Sequence, residues 1–288
     1  VSTPEVELIE WLRSLLPGEE IITGNRKLIS PYELDAYIPG LRVAIEFNGT
    51  RWHSDDFKDK LYHQRKSLMC AAQGILLIHI YEFDWLLRPE ACKRLLRGKL
   101  DPQKEKLNAR SMRVEPTGPQ REFLESNHFQ GSVNATASYG LYEGGRLVSL
   151  MTFGRPRYGG GYDWELLRLC SLEGVVVRGG ASRLFRRFVK EHLKPGDTVV
   201  SFARMDYSAG GVYERLGFER DGVCSPDYVW VKQPSTVLKR YATQRHLLPK
   251  LLGKKFDPTK SETGNMKAAN YKRIYSAGNL RYVYRHES

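Results

Sequence analysis

Near the front of the chain, two short runs alternate apolar and polar positions with a period of two: Leu34, Ala36, Ile38 and then Val43, Ile45, Phe47. That period predicts two strands, with Pro39-Gly40 as the turn between them. Residues 57–73 carry Leu61, Gln64, Leu68 and Ala71 or Ala72 on one side, a helical spacing that ends at Gly74. Ile75-Leu76-Leu77-Ile78 with Ile80 predicts a buried strand. Ahead of all this, Ser2-Thr3-Pro4-Glu5 reads as a helix start with a capping-box glutamate. Val6, Ile9, Leu12 and Leu16 give that helix its apolar face, and Pro17-Gly18 stops it. Ile21-Ile22-Thr23 fits a short strand. Residues 89–114 read as helical and basic, with no core face after Leu100. They suit a linker lying on a phosphate backbone and a plain solvated linker equally.

A different pattern runs from Pro119 to Trp230. Gln120–Asn127 predicts a short helix. Ala137–Tyr142, Leu147–Phe153 and Trp164–Leu172 predict strands, with Gly144-Gly145 as a hairpin turn. Val175-Val176-Val177 leads into Gly179-Gly180-Ala181-Ser182 and a helix over Arg183–Glu191. Thr198–Phe202 predicts another strand, and Gly210–Leu216 a helix ending at Gly217-Phe218. Beyond it, helix signals cover Ser235–Leu252 and Ser261–Ala269, and a closing hairpin is expected around Gly278-Asn279.

Composition narrows the class. The chain has 288 residues, enough for about two domains. It is 41% hydrophobic and has no apolar run near the ~20 residues of a membrane span. No signal peptide is recognisable, and the chain opens on Val1 rather than Met, which leaves room for residues upstream. Cys70, Cys92, Cys170 and Cys224 lack paired spacing and read as reduced core thiols. The net charge of +12 points to a polyanionic partner, most simply nucleic acid, or to a merely basic protein. Residues 232–288 hold 13 Lys plus Arg against 3 Asp plus Glu, so 13 − 3 = +10 of that charge sits in the tail.

The acids give the first half its candidate chemistry. A hairpin brings Asp35 and Glu46 together across the ladder. Two close carboxylates repel unless a cation lies between them, and Mg²⁺ (or Mn²⁺) suits oxygen ligands and phosphate chemistry. The Phe47 carbonyl is a third ligand. His53, just past the strand, is placed to take a proton from an attacking water. His63 and Lys66 share a helix face. Each of these residues also has an ordinary reading as a surface acid or helix-surface group, and His79 and Glu82 read as structural.

The run LDAYIP, VAIEFNGTRWH, KDKLYHQRK, GILLIHIYEFDW also resembles the nuclease core of phage-type homing endonucleases. These are related to the very-short-patch repair endonuclease in the EDxHD branch of the PD-(D/E)XK superfamily. The resemblance covers residues 2 to about 90. It implies Asp35 as the central Mg²⁺ ligand, Glu5 as the leading acid, and His53 and His63 as the family's two histidines. The superfamily lysine is replaced by Asn48, so the activating charge falls to His53, His63 or Lys66. Asp55, Asp56 and Asp59 compete for the final acid.

The second half resembles the GNAT acetyltransferase fold, on Val176-x-x-Gly179-x-Ala181-x-x-Leu184 and on Val212-Tyr213-Glu214-Arg215-Leu216-Gly217-Phe218. In that family, loop amides at the helix N-terminus hold the diphosphate of acetyl-CoA. Here the usual opening Gln or Arg is Val176, and a glycine loop also serves simply to permit a tight turn. Arg155, Arg157, Arg178, Arg183, Arg186, Arg187 and Arg204 favour DNA contact instead, beside the glycine-rich loop Tyr158–Tyr162.

The expected fold is therefore α/β. A PD-(D/E)XK, very-short-patch-repair-like nuclease domain spans 1–90, a basic linker 91–117, a GNAT-like domain contacting DNA 118–232, and a basic C-terminal extension 233–288. The expected function is a Mg²⁺-dependent DNA endonuclease of phage homing type, acting on double-stranded DNA. It would be cytoplasmic in a bacterial host and have no membrane partner. Asp35, Glu46 and Phe47 hold the metal, His53 is the base, His63 serves the leaving oxygen, and Glu5 and Lys66 assist. The alternatives are a GNAT-type acyltransferase with the first half as a targeting module, and a non-catalytic DNA-binding protein.

Overall fold

The computed structural model describes residues 3–157, 159–232 and 236–287. Ser2 of the capping box, Tyr158 of the glycine-rich loop and Ser235 at the expected helix start lie outside them. The first elements are α1 (Thr3–Leu15), β1 (Ile22–Asn25), β2 (Leu34–Ile38), β3 (Val43–Asn48), α2 (Tyr62–Ala72), β4 (Leu76–Tyr81) and α3 (Glu82–Leu87). Next come α4 (Pro89–Leu100), β5 (Glu105–Asn108), β6 (Arg113–Pro116), α5 (Arg121–Asn127), β7 (Ala137–Glu143), β8 (Arg146–Gly154), β9 (Trp164–Ser171) and β10 (Val175–Arg178). They are followed by α6 (Gly180–His192), β11 (Thr198–Arg204), α7 (Gly211–Arg215), β12 (Glu219–Cys224), β13 (Tyr228–Lys232) and β14 (Thr236–Lys239). The last are α8 (Leu248–Leu252), α9 (Glu262–Ala268), β15 (Lys272–Tyr275) and β16 (Asn279–Arg285). The fold is mixed α/β.

Two compact units share the chain discontinuously. One comprises residues 1–89, 204–209 and 224–279; the other comprises 90–203, 210–223 and 280–288. The units interleave along the chain because the last strands return to sheets begun earlier. β15 pairs with β13, while β16 lies between β12 and β11 in a different sheet, so the expected closing hairpin does not form.

The first unit holds the sheet β1-β2-β3-β4. β2 shows the alternation expected of it, with Leu34, Ala36 and Ile38 buried. β3 is buried throughout, since β2 flanks it antiparallel and β4 parallel. The parallel step from β3 to β4 is made by α2. α2 starts at Tyr62 rather than residue 57, because the Asp59 carboxylate accepts the Leu61 N–H (2.8 Å) and turns the chain first. β13, β14 and β15 form a second small sheet over Trp230, Leu248 and Met266. The helix expected over Ser235–Leu252 is replaced there by β14, short 3₁₀ turns and α8. Thr236, Val237 and Leu238 pair with β13, an arrangement that suits β-branched residues better than a helix.

The second unit is built on the sheet β12-β16-β11-β9-β8-β7-β6. α6 covers it, with Phe188 stacked on Phe153 at 3.5 Å between ring centres. The segment expected to be helical to residue 114 is a helix only to Leu100. Pro102 follows, and the chain then forms β5 against β10 and β6 against β7.

Candidate functional site

In the first unit, Asp35 and Glu46 lie just beyond the last β2–β3 rung, Ala36 against Ile45. The Phe47 N–H donates to Asp35 Oδ2 at 2.7 Å. Burial, then the Glu46 carboxylate, push the Asp35 carboxyl up to about 8. Glu46 is 3% exposed and forms an ion pair with Lys66, which is 1% exposed. Burial raises Glu46 as well, while the Lys66 ammonium pulls it down. Where the sequence suggested a divalent ion between two acids, the fold supplies its own buried ammonium. Glu5 and Asp35 line, with Glu10 and Glu33, a cavity of about 330 Å³.

Beside the acids lies a run of imidazoles. His53 Nδ1 and His63 Nε2 share a hydrogen bond of 3.0 Å, and their rings stack at 5.3 Å. His63 meets the edge of His79 at 5.4 Å. His79 Nε2 bonds the Ser67 hydroxyl (2.9 Å), and its Nδ1 faces the Asn48 amide (3.2 Å). Burial depresses all three: His53 to about 2, with His63 adding to the effect, and His63 and His79 to about 3. Next to His79 sits Asp206, 2% exposed, which no sequence pattern singles out. It accepts hydrogen bonds from the Tyr81 hydroxyl (2.8 Å), the Ala277 N–H (2.9 Å) and Arg204 Nε (2.8 Å).

In the second unit, β9 and β11 run parallel but pair over three residues only, Trp164–Leu166 against Val199–Ser201. On its other side β9 pairs with β8, where Thr152 faces Arg168 but Phe153 faces Leu166. Leu167 is therefore an extra residue, a β-bulge placed where the β11 ladder stops. Bulges free backbone groups and re-aim side chains, and they gather beside active sites. α7 adds Tyr213, whose ring stacks on that of Tyr282 at 5.1 Å. α7 opens at Gly210 with φ +81°, and a Cβ there would lie 2.3 Å from the Tyr282 hydroxyl, so only glycine fits. α6 opens at Gly179 with φ +77° and no side-chain cap, which leaves its first-turn amides to solvent or to an anion. No sequence signal marks the bulge, since Leu-Leu at 166–167 is ordinary strand sequence.

The arginines expected on DNA are spread among different tasks. Arg157 bonds the buried Glu165 through its N–H (2.8 Å) and Nε (3.0 Å). Arg183 donates to the Ala109 and Arg110 carbonyls, Arg187 pairs with Glu191 in the next helical turn, and Arg204 is held by Asp206. Arg155 and Arg186 are exposed.

No family model and no curated protein matches the chain. Among solved structures, the chain is similar to a Bacillus subtilis acetyltransferase in complex with CoA. The two are 12% identical, the match covers 61% of this chain and 99% of that one, and the TM-score is 0.31. It is also similar to a Corynebacterium glutamicum protein described as histone acetyltransferase HPA2 and related acetyltransferase. There the identity is 14%, the coverage 42% and 65%, and the TM-score 0.27. This chain therefore spans just under two thirds of the second protein.

These findings correct the nuclease expectation. The two proteins named are acetyltransferases, and neither is a PD-(D/E)XK nuclease or homing endonuclease. The Mg²⁺ expected at Asp35, Glu46 and Phe47 is corrected too. Lys66 already neutralises Glu46, and the Phe47 N–H engages Asp35. Among the described residues, no group of three His, Cys, Asp or Glu side chains is arranged to hold a metal. Nor is any helix among them long and apolar enough to cross a membrane.

Proposed function

We propose that the chain is an acyl-group transferase. Its second unit would hold a CoA-type thioester, and its first unit would direct it to double-stranded DNA. The observation that carries the reading is the Leu167 bulge at the point where β9 and β11 stop pairing. A thioester lying there would meet the bulged backbone, where the Leu167 carbonyl already accepts from Arg168 Nη1 (2.8 Å), with the uncapped amides of α6 for its diphosphate. The Tyr213 hydroxyl, on a ring held by its stack against Tyr282, is the group suited to protonate the departing thiolate.

Acetyl-CoA is expected to raise the thermal midpoint saturably. At 100-fold over its Kd the stabilisation is about 2.7 kcal/mol, or roughly 5–10 °C for a unit of this size. Ala181→Glu places a negative charge at the α6 N-terminus, where it favours the helix but repels a diphosphate. That variant should lose the response. Absence of any shift in differential scanning fluorimetry, or an equal shift in the variant, refutes the reading.

The DNA partner rests on the first unit's folded C-terminal part. Lys239, Lys250, Lys254 and Lys255 are exposed there, and among the described residues none of them has an ion-pair partner. They stand on β14, on α8 and on the 3₁₀ turn after it, beside Leu238, Leu252 and Phe256, which pack against Trp230, Leu248 and Met266. Three phosphate contacts contribute about 2.7 to the slope of log affinity against log salt. Reversing Lys250, Lys254 and Lys255 to Glu should remove that much of the slope for a mixed-sequence duplex. An unchanged slope in fluorescence anisotropy would place DNA elsewhere or nowhere.

A further inference from the structure

Two large aromatic rings in the first unit serve no core. Trp52 is 58% exposed and Phe57 52%, both on the loop of residues 49–61 between β3 and α2. Their ring centres lie 5.0 Å apart, and the Arg51 guanidinium sits over the Trp52 ring at 4.9 Å. The backbone that carries them is tied down. The Ser54 hydroxyl donates to the Arg51 carbonyl (2.9 Å), and the Ser54 carbonyl accepts from the N–H groups of Phe57 (3.0 Å) and Lys58 (2.9 Å). Ser54 also bridges to Ile274 of β15.

Each acid of this loop is already paired. Asp55 meets Arg273 (2.8 Å), Asp56 meets Lys267 (2.9 Å) and Lys272, and Asp59 meets Arg65 (3.0 Å). The charge left over is positive: among the described residues, Arg51, Lys58 and Lys60 have no ion-pair partner. The centres of protein–protein contacts are depleted of lysine. Nucleobases, by contrast, stack on aromatic faces while their phosphates take the neighbouring cations. A base inside a duplex is covered on both faces by its neighbours, so only an unpaired base offers a face to such a ring.

We propose that the Trp52–Phe57 loop is a stacking platform for unpaired nucleobases in the DNA that the first unit binds. This rests on the DNA partner proposed above for the same unit, and it adds a choice among DNAs. Lysines on phosphates give affinity whether or not the bases are paired; the rings give the preference for an unpaired stretch.

Fluorescence anisotropy of the full chain with two labelled DNAs tests this. One is a mixed-sequence duplex, and the other is the same duplex with an unpaired thymine bubble at its centre. The wild-type protein should bind the bubble about tenfold more tightly, the worth of one stacked base. Trp52→Ala should make the two affinities equal and leave that for the paired duplex unchanged. Trp52→Phe keeps a ring and should keep most of the preference. Trp52 is exposed, so the thermal midpoint of Trp52→Ala should match wild type. Equal binding of the two DNAs by the wild-type protein overturns the platform and leaves the DNA reading standing, as does a preference that survives Trp52→Ala. If neither DNA binds, the DNA reading falls and the platform with it. A lower mass by light scattering for Trp52→Ala than for wild type would give the rings to a second copy of the chain and overturn the proposal.

Discussion

Replacing Asp206 by alanine is expected to destabilise the first unit by about 3–5 kcal/mol, the usual result of removing one partner of a buried ion pair. The carboxylate ties three stretches of chain: Tyr81 at the end of β4, Arg204 two residues away, and the Ala277 N–H before β16. Its own carbonyl also accepts the His79 N–H at 2.7 Å. Burial works to raise its pKa, but Arg204, His79 and the Ala277 N–H outweigh burial and hold it below the ordinary aspartate value. It is therefore a buried anion whose partners face it from several directions. Without it, the Arg204 guanidinium loses its carboxylate and the Tyr81 hydroxyl keeps only the long bond to the Tyr275 carbonyl (3.4 Å). For a unit of this size, the thermal midpoint should fall by roughly 6–20 °C. Asp206→Asn keeps an acceptor for Tyr81 and Ala277 but turns an amide toward Arg204, so its loss should be smaller. A midpoint for Asp206→Ala within measurement error of wild type, by circular dichroism, would refute this account of the node.

The same residue shows where sequence pattern runs out. Period-two alternation located β2, and the unbroken Ile75–Ile78 run located β4, because a half-buried strand and a fully buried one leave different marks. The Gly144-Gly145 turn was legible because both residues take positive φ, 55° and 84°. By contrast, Asp206 is a lone acid in an irregular segment, and its partners are 125 and 71 positions away. No local pattern encodes such spacing. Arg204 looked like a phosphate ligand for the same reason, since its counter-charge is visible only once the chain is folded. The Glu46–Lys66 pair misled in the opposite direction. The two acids read as a cation site, but the cation is a lysine twenty residues on, brought back by the β3–α2 turn. The bulge at Leu167 was illegible because a bulge is a relation between two strands, and a single strand's sequence does not record it.

Lowering the pH from about 6.5 should destabilise the first unit steeply, through His53, His63 and His79. An imidazole in the unfolded chain takes up its proton near pH 6.5. In the folded protein, burial delays uptake to about pH 2 for His53 and about pH 3 for His63 and His79. Below 6.5 the unfolded state thus binds up to three more protons, so stability falls as pH falls, with a limiting slope of about 4 kcal/mol per pH unit. Asp35 works the other way. Its folded pKa is raised to about 8, so the folded state keeps a proton that the unfolded chain gives up above about pH 4. Its contribution is largest at low pH and is lost as pH rises toward 8, which moderates the acid slope and tilts the alkaline side downward. Together these opposed groups place the stability maximum near pH 6.5. Urea titrations at pH 5, 6 and 7 measure the slope directly. His63→Asn should flatten it by about one proton, ~1.4 kcal/mol per pH unit. Equal urea midpoints at pH 5 and pH 7 in the wild-type protein would mean that the three imidazoles are not held neutral by the fold.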